Sequence, residues 1–376
     1  MALIITLMHE LPYFLLLTIS GYVGIYSNNF KSTVINFSFL CVAIAFLASG
    51  FSRLFLYNDY DDFTQYYQYF TTISGIADAI PYPYADPLFY LLLYFIKLFG
   101  VSTPEWLYFS FGVVFILILY IITSRNRSSN SALFLFLTLL SPFFIIYSGQ
   151  FVRQSLALCM LMAAISLEGR KKRLLGVLIA SGFHFSVLLA IPVIWVEKIK
   201  VHKALKIFFI LMVLTYLFPI NNNFVSLFSS NELLFSKVEY WLNDDLEPGS
   251  LVFKWIPLFF CSVLLTKFTA TIFNVKYQAV ENEITGFEAR IFWLLIYFTI
   301  IGFWGRYLNV FSLRFGLWAV IFSAAPIFIL RKNLPKTLFS ILCILLYIAT
   351  ALNLALNKSP SDFEYIYRYV FFPSLG

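Results

Sequence analysis

The feature that most constrains this chain is a succession of apolar runs, each long enough to cross a hydrocarbon layer as a helix. About 20 helical residues cover the roughly 30 Å core of a bilayer. Runs near that length recur at 11–27, 34–52, 105–123, 131–148, 152–168, 204–220, 251–268, 290–305, 312–330 and 337–356. Charged residues are 12% of the 376, against about a quarter in soluble domains, so no water-facing surface can be built around these runs. The expected fold class is an all-α polytopic integral membrane protein. It would have about ten transmembrane helices plus two re-entrant or interfacial helices, in a single bundle spanning 1–376. The two weaker segments are 87–99, which is short and holds Lys97, and 174–196, which is broken at Gly182-Phe183-His184 between basic clusters. The first apolar segment has neither a basic leader nor a small-residue cleavage site, so it is expected to stay as a helix.

Orientation follows from the basic residues. The short stretches Arg125–Arg127, Arg170–Arg173, Lys198–Lys206 and Arg331–Lys336 read as cytoplasmic loops. Both termini and the long loops 53–86 and 221–250 then face outward. The outer side collects about 14 of the 19 acids and about 8 of the 26 bases. Topology accounts for the lysine-rich inner clusters. It does not account for Arg53, Arg153, Arg306, Arg314 and Arg368, which stand singly at the outer ends of separate segments. The cysteines Cys41, Cys159, Cys261 and Cys343 all lie in apolar runs and read as packing thiols. No basic stripe with interleaved aromatics suggests nucleic acid. The three histidines are too scattered for a metal triad, and no nucleotide or hydrolase motif occurs.

Several stretches could carry chemistry. The outer loop from Arg53 to Tyr69 crowds an arginine and Asp59, Asp61 and Asp62 among tyrosines. Composition alone favours a solvated loop with interfacial aromatics. A carboxylate near the headgroup plane can also accept a proton from a sugar hydroxyl. Arg153 opens an apolar helix; it can snorkel, or bind phosphate bidentately as lysine cannot. His184, beside a glycine and hydroxyls in an apolar stretch, is either a packed core residue or an intramembrane ionisable group with a function. The tail around Arg368 is either mobile or folded over a site.

The order of these residues resembles the EpsG-like branch of the Wzy polysaccharide polymerases. The matching stretches are Arg53, Asp62-Phe-Thr-Gln-Tyr66-Tyr67, Asp86-Pro87, Arg153-Gln-Ser-Leu-Ala157, the basic Lys171-Lys172, His184-Phe-Ser186, Arg314 and the aromatic tail to Arg368. The family more often carries glutamate where Asp86 stands, and its glycine before the Asp-x-x-x-Tyr stretch is not evident here. The resemblance implies an enzyme of the bacterial cytoplasmic membrane with an outward active site. It would join oligosaccharide repeat units carried on undecaprenyl pyrophosphate, with the pyrophosphate lipid as leaving group and with no metal or other cofactor. The implied catalytic residues are Asp62, Arg153, His184 and Arg314, and the implied substrate-binding residues are Arg53, Tyr66, Asp86, Arg306 and Arg368. Lipid-linked oligosaccharide and the bilayer are the expected partners, with a chain-length regulator protein as a further one and no nucleic acid. Three other readings stay open on the residues themselves: an O-antigen ligase with the same donor chemistry, a membrane acyltransferase built on His184, and a repeat-unit flippase.

Overall fold

The computed structural model describes residues 62–78, 86–125, 152–219 and 283–306, with 314–316, 318, 319, 321, 322, 325, 337 and 341. Their elements, in chain order, are α1 Asp62–Thr72, α2 Pro87–Leu98, α3 Pro104–Arg125, α4 Val152–Ser166, α5 Arg170–Ser181, a 3₁₀ helix Phe185–Trp195, β1 Lys198–Lys200, α6 Val201–Leu217, β2 Glu283–Thr285 and α7 Gly286–Trp304. The chain divides into two compact units, Met1–Ile194 with Ser340–Gly376, and Trp195–Phe339. The expected spans 11–27, 34–52, 131–148 and 251–268, most of 312–330 and 337–356, and the loop 221–250 lie outside the described residues.

In the first unit α4 packs against α3 and α5. A helix apolar all round must be buried all round, and α4 is: from Val152 to Ser166 only Arg153, Met160 and Ala163 are not fully buried. Gly169, at φ 87°, makes the left-handed turn that sends the chain from α4 into α5. The two helices then approach closely where Gly176 faces Ala164. α2 opens with Pro87 at its first turn, where a missing N–H costs nothing. α1 packs on α2, inside the segment expected as an outer loop. Lys97 fixes the end of α1, its ammonium donating to the carbonyls of Phe70 at 3.1 Å, Thr71 at 2.8 Å and Ile73 at 2.6 Å. This answers the apolar segment's odd charge: a cation satisfies carbonyls that a helix C-terminus leaves open.

Two basic stretches expected as loops are not loops. Arg170–Arg173 forms the first turn of α5. Arg173 is buried, its Nε donating to Ile194 O at 3.0 Å and its Nη1 to Leu167 O at 3.2 Å. Lys198–Lys200 is strand β1, and α6 starts at Val201. The break expected at Gly182-Phe183-His184 is present: α5 stops at Ser181, and the chain resumes as a 3₁₀ helix containing Pro192. Proline removes an N–H and disfavours α geometry in the residue before it, so an α-helix cannot run through.

In the second unit α6 packs on α7. The strand pair β1–β2 is antiparallel, with Ile199 opposite Ile284 and both buried. It is the one departure from helix among the described elements, too short to show a period of two in the sequence. Phe298 of α7 anchors a cluster with Trp318 at 4.8 Å and Phe315 and Phe322 at 6.0 Å. α7 is the one described helix long and apolar enough to cross a membrane; its 19 residues rise about 28 Å. On α6 the side chains of Phe209, Ile210, Val213, Leu214 and Leu217 are exposed. Water does not tolerate an apolar face of that extent, and lipid does.

Candidate functional site

In the first unit the structure gathers Tyr66, Asp86 and Arg153, which lie far apart in the chain. α1 carries Tyr66 one turn after Asp62, with its ring edge-on to Phe89 at 5.0 Å. Asp86 is the residue before α2. Arg153 is the second residue of α4. Its Nε donates to the Tyr66 hydroxyl at 3.2 Å, and its Nη1 to Asp86 Oδ2 at 3.1 Å. The guanidinium carbon lies 5.2 Å from the Tyr66 ring centroid. The other carboxylate oxygen, Asp86 Oδ1, accepts from the backbone N–H of Phe185 at 3.0 Å. Next to that bond Leu88 N–H donates to Gly182 O at 2.8 Å. The start of α2 is thereby stitched to the break after α5.

The centre of the cluster is a partly open ion pair. A helix N-terminus carries partial positive charge and open N–H groups, so a cation there is normally disfavoured. Arg153, the second described residue of α4, offsets that cost by pairing with the Asp86 carboxylate. Tyr66 is buried, while the Arg153 side chain is 29% exposed. Two of its three nitrogens are engaged internally. Nη2 has no hydrogen-bond partner among the described residues, so the Nη1–Nη2 end of the fork is the part that can meet a ligand.

His184 precedes Phe185 in the same turn. Its Nδ1 accepts from the Ser186 backbone N–H at 3.3 Å and lies 2.6 Å from the Ser186 hydroxyl. A backbone N–H can only donate, so Nδ1 is the acceptor and the neutral ring carries its proton on Nε2.

The other expected site residues fall elsewhere. Asp62 opens α1. Arg306 belongs to the second unit and is buried; its Nη1 donates to Thr215 O at 2.9 Å and its Nη2 to Tyr216 O at 3.0 Å, closing the end of α6. Arg314 is also in the second unit, with a buried Nε that lacks a partner among the described residues. Arg53 and Arg368 lie outside the described residues. Sequence reasoning missed the Phe185 N–H, since a main-chain donor leaves no residue signature. Its one trace is the helix break beside it.

Described residues that are mostly helical, a membrane-length helix and a lipid-suited α6 face define a helical membrane protein. The family model described as EpsG family matches residues 37–370, and the chain belongs to that family, one of membrane proteins of polysaccharide biosynthesis. No curated protein and no solved structure matches it.

Proposed function

We propose that this protein is a polysaccharide polymerase of the bacterial cytoplasmic membrane, working on its outer face on repeat units linked to undecaprenyl pyrophosphate. The observation that carries the reading is the Arg153 guanidinium, fixed through Nε and Nη1 with its Nη2 end unengaged, at the N-terminus of a buried helix. Glycosyl transfer from a pyrophosphate lipid breaks the bond between the anomeric carbon and the phosphate oxygen. Negative charge grows on the leaving group. A preorganised guanidinium at that point stabilises the transition state more than the ground state. His184, donating through Nε2, is a second phosphate contact. Asp62 is assigned to orient the acceptor hydroxyl, and Arg314 to the pyrophosphate. Arg53, Arg306 and Arg368 are assigned to the substrate side; Arg306 would act there through the end of α6 that it closes. About ten helices in one bundle would hold the two carrier lipids, and a chain-length regulator would act beside it.

The test is polymerisation of purified lipid-linked repeat units by protein in proteoliposomes. Wild type should give a ladder of polymer. Arg153→Lys should lower the rate by about 10²- to 10³-fold, the cost of losing one preorganised donor to a developing oxyanion, because an ammonium lacks the planar fork that keeps separate nitrogens on Tyr66, on Asp86 and toward phosphate. Full-length polymer from Arg153→Lys would reduce Arg153 to an interface anchor. Transport of repeat units without joining would point to a flippase instead.

A further inference from the structure

We propose that Asp86 is a positioning residue, which locks the Arg153 guanidinium to the chain break at Phe185 and acts on substrate only through Arg153. The proposal rests on the reading of Arg153 as the phosphate-binding group. Three observations carry it. Asp86 occupies the N-cap of α2, where an aspartate normally accepts from the N–H groups of its own helix. Here it makes no such bond. Its two oxygens are instead directed outward from α2, Oδ2 to Arg153 Nη1 at 3.1 Å and Oδ1 to Phe185 N–H at 3.0 Å. A cap has been given up for a link between three parts of the chain.

The second observation is burial. Asp86 is 9% exposed, and both oxygens are engaged. Each oxygen keeps a second lone pair, but burial gives a sugar hydroxyl little access to it. The third is charge. A carboxylate beside a phosphate site repels the ligand, so its presence does not serve affinity through charge. What it supplies is geometry. Arginine has many rotamers, and fixing its fork before the substrate arrives removes that ordering cost from the reaction. Tyr66 holds one flank at Nε and Asp86 the other at Nη1, which leaves the Nη2 end in one orientation. Because Asp86 also holds Phe185, the His184 turn is kept in register with the guanidinium, and Leu88 N–H to Gly182 O repeats the tie.

A double-mutant cycle on single-turnover polymerisation separates positioning from sugar binding. Asp86→Asn keeps the shape and an oxygen for Phe185 but loses the charged bond to Arg153. It should lower the rate by roughly 10²-fold, as for a small misplacement of a reacting group, without changing the acceptor KM. In an Arg153→Gln background the same change should cost less than about twofold, since groups acting as one unit are not additive. Losses that multiply, or a raised acceptor KM, would overturn the proposal in favour of direct sugar contact. Two further readouts need no polymerase activity. Phenylglyoxal modification of Arg153, mapped by mass spectrometry, should quicken several-fold in Asp86→Asn. Amide exchange at Phe185 should quicken at least tenfold in Asp86→Ala and stay slow in Asp86→Asn. If wild type makes no polymer, the enzymatic reading fails and these two readouts decide the positioning role alone; unchanged modification and exchange would refute it.

Discussion

Replacing Gly176 by alanine tests the packing that carries Arg153 and the 182–185 break on adjoining helices. A Cβ at 176 would lie 2.6 Å from the Ala164 Cβ and 3.0 Å from its Cα. Carbon atoms rest at about 3.5–4.0 Å, so α5 must retreat from α4 by roughly 1 Å. Neither obstructing atom can rotate away: one is backbone and the other a methyl fixed to it. Overpacking of this kind costs about 1–3 kcal/mol, and the better helix propensity of alanine returns about 1 kcal/mol. The rigid obstruction favours the upper end, for a net loss of about 1–2 kcal/mol. Thermal unfolding in detergent, followed by intrinsic fluorescence, should show a midpoint lower by a few degrees, at about 2–4 °C per kcal/mol. Ala164→Gly in the same chain moves the methyl from one helix to the other at constant volume. It should bring the double variant to within about 1 kcal/mol of wild type. A Gly176→Ala protein that unfolds at or above the wild-type temperature would refute the reasoning, as would a double variant in which the two losses add.

Lys97→Met should free the carbonyls of Phe70, Thr71 and Ile73 and loosen α1 by about 1–3 kcal/mol, read as faster amide exchange confined to 62–78. Arg173→Met should cost about 1–3 kcal/mol of global stability, because two carbonyls joined by a buried guanidinium lose their donor; unchanged unfolding would make Arg173 a topology charge only. Asp78 is held below its usual 3.8, first by the Ser74 hydroxyl and then by the N–H groups of Ser74 and Gly75. A depressed carboxylate contributes order that is present above 3.8 and lost as pH falls through the lower folded value. Slow exchange at Ser74 and Gly75 should therefore persist below pH 3.8, and Ser74→Ala should shift its loss upward.

The helices were legible in the sequence where length and hydropathy sufficed. The expected spans 105–123, 152–168, 204–220 and 290–305 each contain a helix, with ends displaced by a few residues. The break at 182–184 was legible because a glycine flanked by hydroxyls is a local cause. α1 was not, since Asp62–Thr72 is polar and aromatic, with no apolar run to announce it. Its stability comes from Lys97 and from packing on α2, which are tertiary. The close approach at Gly176 was also invisible, because a glycine inside a helix looks like a weak point until its neighbour is known.

The site was legible as residue types but not as roles, and the arginines show why. Charge sorting singled out arginines whose place topology could not explain. Sequence treats them alike, yet the fold spends their donors differently. Arg306 gives its two terminal nitrogens to the last carbonyls of α6. Arg173, from a basic stretch that topology did explain, gives Nε to the 3₁₀ helix at Ile194 and Nη1 to Leu167 in the turn between α4 and α5. Arg290, which opens an expected span, is buried with Nη1 on Val196 O and Glu197 Oε2, both at 3.2 Å. In each case a guanidinium does for backbone ends what water would do in a soluble protein, which an apolar surrounding makes necessary. Arg153 differs: its described contacts are a phenol and a carboxylate, and no backbone carbonyl uses its fork. Arg153 is tied to side chains rather than to helix ends: it neutralises the buried Asp86 carboxylate and leaves its Nη2 end without a hydrogen bond among the described residues. Under the proposed function that end is where phosphate would bind, and the pattern of contacts distinguishes Arg153 from Arg173, Arg290 and Arg306 in a way that no count of charges along the chain could.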